Sequence, residues 1–519
     1  MPGDSKEALA GAVLVGLHAI LLVGLLARSS HAELALTVPS DAVVLVAPDG
    51  KLPDDARVPS PRARLHVDGA PAAPGVVPAL RAGVHRIEWI ESYRGGFERR
   101  VGRTVLAGPL QDPAHPPCGV RLVVGQGLLD ALTPLLIARI EAGLRGQLGF
   151  RRVEDASLLL DDGIALALRL RFSRGQVPVA VQVTPRIVAG RLVLQAHVDA
   201  SVKLESSFLA GAVELFGQTE RLDRLVRDVA ADQVDLVLGP VAAFLAHPPP
   251  VPVGQGRVLT LGYCEDEPIA VVHARSLTVP LAVPVMPATG ALRPILLPAR
   301  PPPGPPDSPI AIDVSLDAAN AILHQMWAQG ALDAALAQAG LERRFNESQD
   351  VRDLLTVRAG TPRLTLPPTL EASGNPARPL LLSLEAELPL LDGPLRTPAR
   401  LFGRVALDLR SQTQRQVVAD VDVTELALTC VPAPGVLSPC YAALFEAARG
   451  RSRELHPPIA QALVAWFEGL VVGQQLGGEA GAPRFLLDAT KLTPRIDSQS
   501  GWIRVELRGR VLDDAPTHP

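Results

Sequence analysis

Apolar positions recur along this chain with two periods. From Leu192 to Leu204 they fall on every second residue: Leu192, Leu194, Ala196, Val198, Ala200, Val202 and Leu204 face one way, and Gln195, His197, Asp199, Ser201 and Lys203 face the other. Period two predicts an extended strand with one dry and one wet face. Thirteen unbroken residues exceed the usual strand of about five or six. Ile164, Leu166, Leu168, Leu170 and Phe172 predict a second strand, with Asp162-Gly163 ahead of it as a hairpin turn. Leu382, Leu384, Ala386 and Leu388 predict a third, with Ser383, Glu385 and Glu387 on its wet face. A period near 3.6 predicts helices in two places. Leu129, Leu132, Leu136, Ile140 and Leu144 form one stripe, with Pro134 placed to kink its early turns. Leu316, Ala319, Leu323 and Trp327 form the other, with Ser315 as its cap and Gly330 as its stop.

These elements recur in order. A proline-dense stretch over 286–308, including Pro301-Pro302-Pro303-Gly304-Pro305-Pro306, cannot join a helix or sheet and reads as a stiff spacer. It separates 118–285 from 309–515. Each half opens with a short strand, Val120–Val124 or Ile310–Val314. Each then enters a stripe helix, long strands, a second helix and closing strands. The second helix is expected around Leu222, Leu225, Val226 and Val229 in the first half, and at 441–455 and 459–470 in the second. Residues 33–112 predict a small β-sandwich-like domain. Within it, Val67-Asp68-Gly69 and Gly83-Val84-His85-Arg86-Ile87 resemble the V-D-G and G-x-H-x-I layout of PEGA-type surface β modules.

Composition narrows the function classes. Fifty basic against 54 acidic residues give a net charge of −4, and no dense basic stripe exists, so nucleic acid is not an expected partner. Aromatic residues are 3%, too few for the girdles of an outer-membrane barrel. Residues 8–27 are apolar apart from His18. That length suits a membrane anchor, and Ser30-His31-Ala32 behind it suits a cleaved signal. Either reading predicts an exported, periplasmic or envelope protein, residues 1–32 being its signal or inner-membrane anchor. The four cysteines, Cys118, Cys264, Cys430 and Cys440, suit disulfides in such a compartment, although four allow three pairings. Cys430 and Cys440 bracket a turn-rich segment, so a local bridge is expected there, which leaves Cys118 with Cys264.

Candidate chemistry is sparse. The chain holds no Gly-x-Ser-x-Gly elbow, His-Glu-x-x-His, Walker loop or dinucleotide fingerprint. No two histidines sit at ligand spacing; His324, beside the second stripe, is expected at the surface. The acidic runs Glu265-Asp266-Glu267, Glu154-Asp155 and Asp161-Asp162 lack calcium-loop spacing and read as solvated turns. Asp420 and Asp422 share a wet strand face, and Asn346-Glu347-Ser348 matches a glycosylation acceptor. Neither an enzyme nor a cofactor nor a metal is expected.

Asp313-Val314-Ser315-Leu316-Asp317-Ala318-Ala319-Asn320-Ala321-Ile322-Leu323, continuing through Met326-Trp327 to Gly330-Ala331-Leu332, resembles the start of the C-terminal domain in the bactericidal/permeability-increasing protein-like (TULIP) lipid-binding superfamily. The resemblance implies an α+β fold: two tandem domains, each a long curved antiparallel sheet wrapped on a long helix, here preceded by the small all-β domain. It implies an apolar channel in each, lined here by Leu132, Leu136, Ile140, Leu194, Val198, Val202, Leu323, Trp327, Leu382 and Leu384. The implied function is to hold or transfer lipid, or another apolar ligand, at a membrane surface. Burial contributes about 0.8 kcal/mol per methylene, on the order of ten for a sixteen-carbon chain. The rival expectation is an envelope scaffold whose sheets close on filled cores and whose 33–112 domain takes protein partners. Val198→Asp separates the two, abolishing lipid retention in a channel and unfolding a filled core.

Overall fold

The computed structural model describes residues 44–52, 62–73, 78–92, 98–146, 149–161, 163–173, 175–188, 191–200, 203–204, 251–254, 257–264, 267, 269–272, 276–284, 292–306, 308–333, 356–357, 363–388, 390–391, 399–413, 416–430, 475–476, 484–487, 493–495, 501–507 and 509–512, with Arg224, Asp228 and Asp232. The apolar run 8–27, most of the second helices, Val202, Asp162, Asn346 and Cys440 lie outside these residues.

Strands β1 (Val44–Ala47), β2 (Arg64–Val67), β3 (Ala70–Pro71), β4 (Gly83–Ser92) and β5 (Glu98–Ala107) make one sheet in the order β1-β5-β4-β2-β3. β1 and β5 pair in parallel. The expected sandwich is therefore a single sheet among the described residues. Leu45, Leu65, Ile87, Trp89 and Val105 cluster in its core. Val84 and Leu106 belong to another apolar cluster, with Leu366 and Phe402 of the C-terminal half.

The two halves have the same topology. In the first, β6 (Val120–Gly125) leads into α1 (Gln126–Leu144), followed by the antiparallel meander β7 (Phe150–Asp161), β8 (Gly163–Phe172), β9 (Gly175–Val188) and β10 (Arg191–Ala200), and later β11 (Ser276–Ala282). In the second, β12 (Ile310–Ser315) leads into α2 (Leu316–Ala328), followed by the meander β13 (Arg363–Asn375), β14 (Arg378–Leu388), β15 (Ala399–Thr413) and β16 (Gln416–Cys430), and later β17 (Trp502–Leu507). α1 lies against edge strand β7, and α2 against edge strand β13. The halves meet in a central antiparallel sheet that runs β11-β6-β12-β17, Leu122 standing opposite Ile312. Exchanging the halves maps β6 onto β12 and β11 onto β17, so the topology has an approximate two-fold relation. Gly119 sits at this junction because a side chain there would collide with the Ser315 hydroxyl and meet Ala318 Cβ at 2.7 Å.

The stripes expected for the helices are the buried ones. Leu129, Leu132, Leu136, Ile140 and Leu144 are each at most 1% exposed. Ser315 caps α2 by accepting a hydrogen bond from the Ala318 N–H at 3.1 Å. Gly330 follows the end of α2 at φ 70°. α2 is buried on two sides: Ala318, Ala321, Ile322 and Met326 join the first core, and Leu316, Ala319 and Leu323 join the second. A helix enclosed in this way has no solvated stripe, which corrects the surface expected for His324. That ring is 1% exposed, and its Nε2 lies 3.1 Å from the Leu292 carbonyl.

Two further expectations change. The proline-rich stretch is a pinned strap. Leu296 N–H donates to Pro109 O at 2.7 Å, Gln111 N–H to Pro294 O at 2.7 Å and Leu297 N–H to Asp317 Oδ1 at 2.8 Å. Farther along, Trp502 Nε1 donates to Arg300 O at 3.1 Å and Arg504 to Gly304 O at 2.6 Å. Proline keeps its carbonyl while losing its N–H, so a proline-rich strand can still accept from both sides. The wet face expected on the third predicted strand is also covered. Ser383 and Glu385 of β14 are 0% and 4% exposed, because the N-terminal sheet docks on that face. Thr104 Oγ1 donates to Glu385 Oε2 at 2.5 Å.

Candidate functional site

In each half the helix meets an edge strand, and an unpaired strand edge must satisfy its backbone groups in some other way. Side chains of the two helices, with Asp333 just beyond α2, do so here. In the first half, Gln126 Nε2 donates to Leu158 O at 2.7 Å, and Gln126 Oε1 accepts from Leu160 N–H at 3.1 Å. Glu141 Oε1, near the other end of α1, accepts from Val153 N–H at 2.9 Å. In the second half, Asn320 Nδ2 donates to Leu370 O at 3.0 Å and Asn320 Oδ1 accepts from Leu370 N–H at 2.7 Å. Asp333 Oδ1 accepts from Leu364 N–H, and Trp327 Nε1 donates to Leu364 O, both at 2.8 Å. One carboxamide and one carboxylate thus close each seam. Sequence reasoning missed these groups; the signal available was an amide side chain beside an otherwise apolar stripe.

Behind the seams lie the apolar faces. Leu132, Leu136 and Ile140 of α1 pack among Leu158, Ile164, Leu166, Val179 and Val181. Each is at most 1% exposed. Leu323 and Leu382 pack together in the second half, with Leu384 partly buried against them. Trp327 is half-buried, its ring 5.5 Å from that of His324. The strand register sets Val198 opposite Val181 and Leu194 opposite Pro185, while the side chains of Leu194 and Val198, like the whole of Val202, lie outside the described set. A hollow of about 560 Å³ opens on the other face of the first sheet, bordered by Ser157, Ala167, Pro178 and Ala180 and by the 3.1 Å ion pair of Arg169 with Asp155.

The two motifs of the N-terminal sheet meet each other. Asp68, in the turn after β2 at φ 50°, places Oδ2 2.8 Å from His85 Nδ1 and accepts from the Arg86 N–H through Oδ1. Arg404 of β15 pairs with Asp68 at 2.9 Å and with Glu425 at 3.3 Å, and donates to Val84 O. Glu371 Oε1 accepts from the Val84 N–H at 2.9 Å. The Arg86 and Arg404 guanidinium groups both lie over the Phe402 ring, at 5.8 and 5.7 Å. Burial opposes charge on Asp68, yet the His85 hydrogen bond and the Arg404 charge hold its carboxyl below 3.8. Burial also opposes charge on His85, and Asp68 overcomes it, raising the ring above 6.5. Burial pushes Glu371 and Glu425 up.

The pH dependence of stability follows from these directions. The His85 contribution is complete below 6.5 and is lost as pH rises through the raised value; the Asp68 contribution is present above 3.8 and is lost below its lowered value. The raised carboxyls of Glu371 and Glu425 likewise favour docking in mild acid. The urea midpoint of the full chain is expected to be higher near about pH 5 than near about pH 8, with His85→Gln flattening the difference. An unchanged midpoint across that range would remove the His85–Asp68 pair as a source of pH-dependent stability.

Cys118 and Cys264 form a disulfide with Cα atoms 5.7 Å apart. A disulfide suggests an extracytoplasmic location. No helix among the described residues is long and apolar enough to cross a membrane. The acidic runs hold no metal cluster among the described residues: Glu154 and Asp155 pair with arginines, and Glu267 pairs with Arg121 at 3.0 Å. No protein-family model matches the chain, and no curated protein sequence matches it. Among solved structures, one of a lipopolysaccharide binding protein aligns with 77% of this chain and 100% of its own, at 12% identity and a TM-score of 0.33.

Proposed function

We propose that this chain is a non-enzymatic, extracytoplasmic lipid-binding protein that holds or transfers acyl chains between helix and sheet at a membrane surface. One observation carries the reading: each helix covers an apolar sheet face, yet among the described residues is joined to its edge strand by side-chain hydrogen bonds and not by a backbone ladder. An acyl chain slid between helix and sheet replaces one set of aliphatic contacts by another, so the exchange is close to neutral in buried apolar area. The disulfide supports the compartment. Native mass spectrometry of gently purified full-length protein is expected to detect copurified phospholipid. Its absence, together with failure to take up added fatty acid, would defeat the reading.

A second reading is favoured by the burial of Leu132, Leu136 and Ile140 at 0%, 1% and 0% exposure. In it both halves are closed cores, and the protein is an envelope scaffold. The N-terminal sheet, already seated on β14 and β15, would then offer partners only its remaining surface. This reading predicts a lipid-free protein in the same measurement.

A further inference from the structure

The two seams are closed at their ends by the same chemistry, but they differ in between. Gln126 and Glu141 stand fifteen residues apart on α1, about 22 Å at 1.5 Å per residue. Their strand partners Val153 and Leu160 span about 23 Å of β7 at strand rise. Residues 154–157 of β7 lie in the interval between these two anchors. Opposite that interval, midway between the two anchors, α1 carries Pro134, which is exposed. Proline cannot donate to the carbonyl four residues back, so Asp130 O loses its helical partner. The neighbouring Thr133 hydroxyl donates to Leu129 O at 2.8 Å, a back-bond that bends helices. The helix is thus weakest midway between its two anchors on the edge.

The second seam lacks this weakness. α2 contains no proline. Its edge strand has Pro367 and Pro368 between the two anchored residues, Leu364 and Leu370, and those prolines leave no N–H to satisfy. α2 is also held from both cores.

We infer that the α1–β7 seam is the route by which an apolar chain enters the first half, opening about Pro134 between the Gln126 and Glu141 anchors, and that the α2–β13 seam stays shut. The inference rests on the lipid-binding reading above and goes further, in assigning uptake to one half and one seam. The test is stopped-flow uptake of parinaric acid by the full-length protein. Pro134→Ala restores the missing helix hydrogen bond at an exposed site and is expected to slow uptake at least about fivefold with equilibrium binding unchanged. Gln126→Ala loosens one anchor and is expected to speed uptake. Pro368→Ala, in the second seam, is expected to leave the rate at its wild-type value. If wild-type protein binds the probe but Pro134→Ala and Gln126→Ala both take it up at the wild-type rate, the seam assignment is overturned and the lipid-binding reading stands. If wild-type protein takes up no probe, both are overturned.

Discussion

Arg504→Leu is expected to destabilise the protein by about 3–5 kcal/mol, the cost of leaving a buried charge without its partner. Arg504 Nε and one terminal nitrogen meet the two Asp313 oxygens at 2.6 and 2.8 Å, with the two side chains 9% and 2% exposed. The register places Arg121, Asp313 and Arg504 in one row across β6, β12 and β17, so the pair sits where the halves join. Arg504 also donates to Gly304 O and thereby helps to hold the strap across this face. Trp502 on the same strand does likewise through Arg300 O, with Arg121 5.2 Å from its ring. Urea unfolding of the single variant and of Asp313→Leu/Arg504→Leu separates charge burial from general damage. The double variant removes the orphaned carboxylate and is expected to recover much of the loss. A double variant as unstable as the single one would mean that packing and strap contacts, not the charge, dominate at this site.

The elements that could be read in the sequence are those whose cause is local. The 3.6-residue stripe of α1, the Ser315 cap and the alternation through β8 each depend on neighbours a few residues away. All three were legible for that reason. Alternation also identified Leu382 and Ser383 as facing opposite sides of β14. It did not disclose that Ser383 and Glu385 are covered, because an alternating pattern reports the polarity of a face and not what packs on it. Glu385 and Thr104 lie far apart in the chain and satisfy each other only after docking. The same limit hid the central sheet, since nothing local in Val120–Val124 or Ile310–Val314 says that Leu122 stands opposite Ile312. Proline density over 286–308 argued against a helix or ladder, and its described residues form neither a helix nor a strand beyond one isolated bridge, Ile295 with Leu110. It was silent on the carbonyls that pin the strap. Asn320 was conspicuous within an apolar helix, but its role as a plug for the Leu370 edge requires knowing that β13 is an edge strand.

Leu136→Ala is expected to lower stability by about 2–5 kcal/mol, the range for a leucine truncated in a core that cannot fully collapse. Leu136 is 1% exposed, between the fully buried Leu132 and Ile140 on one side and the β8–β9 face on the other. A substitution on the opposite, exposed face of the same sheet, Ala167→Ser, is expected to stay within about 0.5 kcal/mol and serves as the control. The stability loss alone is common to both functional readings. Ligand linkage divides them. Truncation leaves an apolar void beside the α1–β7 seam, and such voids stay dry and accept apolar ligands. If acyl chains bind between α1 and its sheet, fatty acid should raise the unfolding midpoint of Leu136→Ala more than that of the wild type, because binding to the native state alone adds stability in proportion to the logarithm of affinity. If the core is closed for good, fatty acid should leave the wild-type midpoint where it is, whatever the engineered void accepts. Urea titrations with and without saturating fatty acid therefore distinguish a helix that yields its place to a lipid from one that only fills a core.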